Sequence, residues 1–468
     1  MNYISLQFLV FFIIILVCLK WISKRKQQQW LLLAASYVFY AVWDYRFLIL
    51  LFLMSTVMWL VGKKIEEYPL KSKGLCTIGV SFCVVILGIF KYYGFFMETF
   101  CSMFQLTSNT IKIILPLGIS FYTFQSISYL CDLKNKRIQA YGFREVLLYI
   151  GFFPQIVSGP IVKARDFLPQ LENKCVIEMS NISVGVQLFL LGLIKKVVIA
   201  DRLGIYVDTV YLAPEAYSGI SLLVATIAYA IQIYCDFSGY SDMAIGVAKC
   251  MGIDLGINFN MPYISQNISE FWRRWHISLS SWFRDYVYIP LGGNRKGEVR
   301  TCFNLLVTML LSGLWHGASW NYVLWGGLHG ILSIVDRKIR KVGSKYNWKR
   351  QTPYIKNIIT ALKIIINTSA VCILWVPFRA KSIKDTWIIL KRIFGLKSGI
   401  TYIFSYALIY GILIMGVQIW AVVKNNGNNP YRPMNLNNFC ARIVFCIGII
   451  LAFLFAYIGN SAFIYAQF

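Results

Sequence analysis

The sequence predicts an all-α polytopic membrane protein. Three observations carry that prediction. Apolar residues make up 58% of the chain and charged residues 14%, where a soluble domain carries about 25% charged residues. Apolar runs recur from end to end at the length of a membrane span. The cations collect between those runs rather than inside them.

A bilayer core takes roughly 20 apolar helical residues to cross. The first run covers residues 4–19 and is followed by Lys20, Lys24, Arg25 and Lys26. No basic stretch precedes it and no small-residue cleavage pattern follows it, so a retained span is expected rather than a signal peptide. Further runs centre on residues 30–43, 47–61, 75–90, 111–129, 146–157, 184–198, 220–234, 303–314, 322–335, 358–376, 404–422 and 443–457. That gives about 11–13 hydrophobic helical segments.

Lys and Arg number 46 against 20 acids, for a net charge of +26. The excess sits between apolar runs, as in cytoplasmic loops facing anionic lipid, and no compact basic domain exists to hold nucleic acid. In the first five runs basic loops (residues 21–29, 62–73 and 131–144) alternate with nearly uncharged ones (44–46 and 97–110). The positive-inside rule then places the N-terminus outside. Most of the 12 Cys, such as Cys18, Cys83, Cys235, Cys372 and Cys446, lie inside apolar runs. No C-x-x-C pair occurs, so no metal or redox motif is expected.

Two stretches look too interrupted for plain spans. Residues 149–160 are broken by Pro154, Gly159 and Pro160, and residues 237–256 are rich in small residues. Broken backbone at membrane depth needs protein or a water-filled cavity around it, so these are candidate re-entrant segments, with surface loops as the alternative. No internal repeat is visible, which counts against an inverted-repeat transporter. No linker divides the chain, and one domain over residues 1–468 is expected.

The chain has only three His. Ionisable residues at membrane depth are costly and are functional candidates by default. His316 lies between two apolar runs and is flanked by Gly313 and Gly317, where a thin ligand can approach closely. A neutral imidazole there can take a proton from an acceptor hydroxyl as general base. A His hydrogen-bonded to a backbone carbonyl is the plainer alternative. His276 lies in a stretch, residues 269–297, where Trp272, Trp275, Leu279, Trp282, Phe283 and Tyr286 favour one side at helical pitch. An aromatic, basic helix at the interface is expected. Its cations Arg273, Arg274 and Arg284, with Asn294, Arg295 and Lys296 in the following Gly-rich turn, can hold phosphates of a nucleotide-bearing donor or anchor the helix to lipid headgroups. His329 follows His316 by 13 residues, which on a shared helix turns it away by about 220°, so it is expected to be structural. Asp132, Asp236 and Asp242 sit at apolar borders, near Ser238, Tyr240 and Ser241, and can orient a His or pair with Arg. No G-x-S-x-G elbow, P-loop or H-E-x-x-H occurs.

Five stretches carry a resemblance: LPLGISFYTFQSISYLCD from Leu115, GFFPQIVSGPIVKARDFLPQL from Gly151, YCDFSGYSDMAIGVAKCMGIDLGINFNMPY from Tyr234, FWRRWHISLSSWFRDYVYIPLGGNRKG from Phe271 and LLSGLWHGASWNYVLWGGLHG from Leu310. They resemble the membrane-bound O-acyltransferase (MBOAT) family over a core of residues 115–330. The likeness is strongest to the bacterial branch of alginate and peptidoglycan O-acetyltransferases and the teichoic-acid D-alanyl transfer protein.

The resemblance implies an MBOAT fold, with helices around a central funnel or tunnel. It implies that His316 is the catalytic His, and that His276 takes the second family position, Asn in many eukaryotic members. Trp315, Asp236, Ser238 and Tyr240 would line the tunnel. No bound cofactor is implied. The donor would be a cytoplasmic thioester, and PLGGNRKG favours acetyl-CoA over an aminoacyl carrier protein. The acyl group would pass to a cell-surface polysaccharide through a separate extracytoplasmic partner with a Ser-based site. The location would be the cytoplasmic (inner) membrane. A D-alanyl transfer protein and a polysaccharide or lipid transporter without chemistry are the other readings.

Overall fold

Helices take the places of the apolar runs, and their ends follow local chemistry. The computed structural model describes residues 3–107, 111, 113–157, 159–343, 352–425 and 433–455, and no β-strand occurs among them. Helix Leu6–Trp21 opens where the Ser5 side chain accepts a hydrogen bond from Phe8 N, satisfying one of the donors a helix start leaves open. Its residues Leu9, Ile13, Ile14 and Val17 are about half exposed, and a bare apolar helix face suits hydrocarbon. Helices Arg25–Asp44 and Leu48–Glu67 follow, joined by a short turn in which the Asp44 carboxylate accepts from Arg46 N. Among the described residues, five helical stretches are long and apolar enough to cross a membrane: Arg25–Glu67, Pro69–Met103, Met179–Leu212, Gly219–Cys250 and Tyr354–Arg379. The expected run at 443–457 appears as helix Phe439–Phe455, and residues 456 and 457 lie outside the described set.

Two units divide the contacts. The first comprises Met1–Leu193, Tyr240–Gly256 and Pro433–Phe445; the second comprises Ile194–Gly239, Ile257–Arg432 and Cys446–Phe468.

In the first unit the interrupted stretch at 149–160 is broken, and its described residues are buried. Helix Phe143–Gly151 ends, helix Phe153–Ile156 makes one turn, and the next helix described is Ala164–Phe167. Side chains satisfy the freed backbone, as non-helical chain at this depth requires. Tyr149 Oη donates to Val162 O at 3.0 Å and meets Ser128 Oγ at 2.8 Å. Gln155 Nε2 donates to Tyr149 O at 2.7 Å, and Phe153 N donates to Ser36 Oγ at 3.2 Å. Asp132 pairs with Arg137 at 3.1 Å and Arg165 at 3.8 Å, the Arg partnership foreseen for it. The stretch at 237–256 is different. Helix Gly219–Cys250 runs unbroken through residues 237–250 of it, so re-entry over those residues is corrected: their small side chains serve packing. Gly246, for one, approaches the Gly185 carbonyl so closely that a Cβ would stand 2.5 Å from the oxygen.

In the second unit, helices Glu298–His316 and Trp320–Gly343 form a tight hairpin. A Cβ on Gly313 would stand 2.2 Å from Tyr322 O, and one on Gly317 would stand 2.3 Å from the Tyr322 ring. The space beside His316 that these glycines open is therefore filled by Tyr322 rather than kept for a ligand.

Candidate active site

The site is built where two helical segments break. The aromatic-basic stretch was expected to be one helix, yet it forms two short ones, Ile268–Arg274 and Ile277–Phe283, with a corner at Trp275–His276. The first starts at Asn267, whose side chain accepts from Glu270 N, while Glu270 Oε2 accepts from Gln266 N. The cap thus satisfies one open donor of the helix start, and the Glu270 carboxylate reaches back to the residue before the cap. The corner has its own cause. Backbone bonds from the segment at 258–260 intercept the chain, Asn260 N donating to Arg274 O at 2.8 Å and Ile277 N to Asn258 O at 2.9 Å. His276 is left at φ +42°, a left-handed conformation that costs a residue with a Cβ of order 1–3 kcal/mol and persists only when neighbours hold it.

Asn258 is the holder. Its Oδ1 accepts from Ser278 N at 3.3 Å and Ser278 Oγ at 2.9 Å, and lies 3.1 Å from His276 Nδ1. An atom that accepts from a backbone N–H is the amide oxygen, so His276 Nδ1 carries the hydrogen and Nε2 keeps its lone pair. His276 is fully buried, and burial lowers its pKa to about 3. The ring is neutral near pH 7. Nε2 is buried with no hydrogen-bond partner among the described residues.

His316 is the last residue of helix Glu298–His316 and is 2% exposed. The preceding Trp315 ties the two imidazoles together. Its ring centroid is 5.8 Å from His276 and 5.0 Å from His316. The Trp325 ring then stands 5.1 Å from His316 and 4.8 Å from His329. All four contacts are edge-to-face. The result is an alternation of imidazole and indole: His276, Trp315, His316, Trp325, His329. Phe378, 5.2 Å from His316, and Phe237, 4.6 Å from His276, close its sides. Water is excluded from such a wall, which strengthens hydrogen bonds made inside it.

His329 departs from expectation in position. The helix carrying His316 ends at that residue, so the two His do not share a helix and the 13-residue rotation does not apply. The hairpin returns His329 to a place one indole ring beyond His316.

The remaining expected residues separate. Asp236 is buried and bonds Lys196 Nζ at 2.6 Å, and Lys196 also pairs with Asp201 at 2.8 Å. Lys196 is thus a partner of Asp236. Asp236 immediately precedes the Phe237 that packs on His276, and Ser238 is buried beside it. Tyr240 packs on Tyr3, with centroids 4.9 Å apart. Arg274 is engaged, pairing with Glu270 at 2.9 Å and donating to Asn260 O at 3.2 Å. Arg284 is exposed and pairs with Asp285 at 2.8 Å. Arg273, Asn294, Arg295 and Lys296 are exposed. Trp275, Leu279, Trp282 and Phe283 are buried in protein, so this stretch is core and not a lipid-facing anchor. Sequence reasoning passed over Asn258, Ser278 and Trp325. An Asn held between apolar neighbours was the available signal for the first.

Residues 75–376, which contain the whole alternating array, match the sequence model of MBOAT, the membrane-bound O-acyltransferase family. The chain belongs to this family. It is 39% identical to the probable alginate O-acetylase AlgI of Pseudomonas putida over 82% of this chain and 78% of that protein. It is 37% identical to the peptidoglycan O-acetyltransferase of Helicobacter pylori over 78% of this chain and 73% of that protein. A teichoic acid D-alanyltransferase of Bacillus subtilis is 30% identical over 57% of this chain and 69% of its own length. This MBOAT protein is thus a multi-pass membrane enzyme, an O-acyltransferase of the alginate and peptidoglycan O-acetylase type. A transporter without chemistry is not its class.

Proposed function

We propose that this acyltransferase takes an acetyl group from a cytoplasmic thioester, acetyl-CoA, and moves it outward for O-acetylation of a cell-surface polysaccharide. The observation that carries this reading is the pair of buried imidazoles joined through Trp315, with one of them held as a fixed tautomer. His316 is the general base. It accepts the proton of an acceptor hydroxyl as that oxygen bonds to the thioester carbonyl carbon. The C–S bond breaks, and the proton passes to the departing sulfur to leave a thiol. His276 is too weakly basic to take the proton. Its Nε2 lone pair instead accepts a hydrogen bond from another donor of the bound substrate and helps to position it. Exposed Arg273, Arg295 and Lys296 supply cations for the phosphates of the donor.

The acetyl donor is favoured because the O-acetylase relatives match more of the chain, at higher identity, than the D-alanyl relative does. The enzyme sits in the cytoplasmic (inner) membrane with its N-terminus outside. A separate extracytoplasmic transferase with a Ser-based site receives the acetyl group and passes it to the glycan.

The test is transfer of radiolabel from acetyl-CoA in membranes that carry wild type or His316→Ala, with candidate partner proteins supplied. Label should reach protein or glycan with wild type alone, and the variant should fall by about 10²–10⁴, the usual worth of a general base, while still inserting in the membrane. Label from an aminoacylated carrier protein but not from acetyl-CoA would move the enzyme to the D-alanyl class. Equal transfer by both forms would remove His316 from the role.

A further inference from the structure

A charged side chain on the outer face of a span needs a partner. Lys363 lies about three turns into helix Pro353–Arg379, inside the apolar stretch Tyr354–Arg379. It is exposed, and its neighbours Leu362, Ile365 and Ile366 are each more than half exposed. No ion pair or hydrogen bond holds it among the described residues. An ammonium so placed is costly without a counter-charge.

Lys363 stands in the wall of a groove in unit two that helices Trp320–Gly343 and Pro353–Arg379 both line. The groove holds about 520 Å³, within the range of ligand pockets. Its cations are Lys363 and Arg340, and Leu332, Val335, Ile366 and Ala370 make apolar wall. On the first helix Arg340 follows Leu332 and Val335; on the second Lys363 precedes Ile366 and Ala370. Side chains of a helix lean toward its N-terminus, which carries the Lys363 ammonium further from the apolar part. The groove thus has a charged end and an apolar end. The acid in its wall, Asp336, is already engaged, its Oδ2 accepting from Ser269 Oγ at 2.8 Å and from Arg340 Nε at 3.1 Å. Arg340 Nη2 donates to Ser269 Oγ at 2.7 Å, and its guanidinium is half exposed. The chain that joins the two helices at the charged end, residues 344–352, carries Lys345, Lys349 and Arg350. By the positive-inside rule this end faces the cytoplasm, where the leaflet is anionic.

We infer that the groove binds an anionic phospholipid of the cytoplasmic leaflet. Lys363 and the outward side of the Arg340 guanidinium take the phosphate, a point charge and a planar fork together. One acyl chain lies against Leu332, Val335, Ile366 and Ala370. Basic pockets between spanning helices suit such headgroups, and the lipid supplies the counter-charge that the protein does not give Lys363. Bound there, it ties the helix that carries Trp325 and His329 to its neighbour from outside the site.

The experiment reads retained lipid and is independent of turnover. The protein is purified in neutral detergent, mixed with equal amounts of phosphatidylglycerol and phosphatidylcholine of the same chains, and weighed by native mass spectrometry. Wild type should retain phosphatidylglycerol in preference. Lys363→Gln should cut that preference about fivefold, the worth of one cation near an anionic headgroup, and Lys363→Arg should keep it. Lys338→Gln removes an exposed cation of the same helix as Arg340 that does not line the groove, and it should also keep the preference. Ala370→Phe fills the apolar end and should lower retention of both lipids. An unchanged preference in Lys363→Gln, or an equal loss in Lys338→Gln, would overturn the site in favour of diffuse surface charge. Unchanged retention in Ala370→Phe would overturn the placing of the chain. Glycerophosphoglycerol, the headgroup without chains, binding as firmly as the lipid would make this a bare anion site. Dimers that vanish in Ala370→Phe would give the groove to a second copy of the chain instead.

Discussion

Two buried breaks in helical chain can be set side by side. One lies at residues 149–160 in the first unit, the other at Trp275–His276 in the second. Both sit in apolar surroundings and both depend on side chains to hold the freed backbone. At the first, Tyr149, Gln155 and Ser36 turn inward and their bonds close on the break itself. At the second, a single oxygen, Asn258 Oδ1, holds a backbone N–H, a hydroxyl and an imidazole together. There the far side of the imidazole is left over. A closed break supports the fold; a break that ends on a spare lone pair offers an atom to a substrate. The difference lies in what remains after the backbone is satisfied.

Removing the ion cluster behind the second break should have the largest effect. Lys196→Met leaves the carboxylates of Asp236 and Asp201 buried without their shared cation, a change that costs about 3–5 kcal/mol. Asp236→Asn keeps the Lys196–Asp201 pair and should cost far less. Thermal unfolding in detergent checks the order. Equal losses would mean that the cluster is relaxed by water.

Asn258→Ala and Tyr149→Phe break the two sites by matched chemistry. Each strands buried partners, at about 1–3 kcal/mol of stability. Turnover per folded molecule should separate them. Asn258→Ala should lower it about tenfold to a hundredfold, because the His276 tautomer and ring direction are no longer fixed. Tyr149→Phe should leave it unchanged. A similar turnover loss in both would erase the distinction between the breaks.

Much of this was legible in the chain. Most of the apolar runs appear as helices because span length and loop charge are local properties. His276 and His316 were legible because ionisable groups are rare at such depth. The corner at His276 was not. The aromatic spacing from Trp272 to Tyr286 continues through it at helical pitch, and the groups that bend the chain stand at residues 258–260, well back in the sequence. The Lys196–Asp236 pair was hidden in the same way, since its members lie on different helices. Gly313 and Gly317 were legible as a close approach, but a glycine does not say what approaches it.

The smallest effect concerns His276 itself. Its backbone is left-handed at φ +42°, where Asn is better tolerated than other residues with a Cβ. Asn also brings an amide that can accept a hydrogen bond in place of the Nε2 lone pair. His276→Asn should therefore lose about threefold to tenfold in kcat, and His276→Ala, which keeps the strain and loses the acceptor, should lose about ten times more. The acid limb of the pH–rate profile should be the same in wild type and His276→Asn. A ring already lowered to about 3 stays neutral through the physiological range, so a limb between pH 5 and 7 belongs to another group. If that limb moves in His276→Asn, His276 takes up a proton during turnover, and the division of labour between the two imidazoles must be reversed.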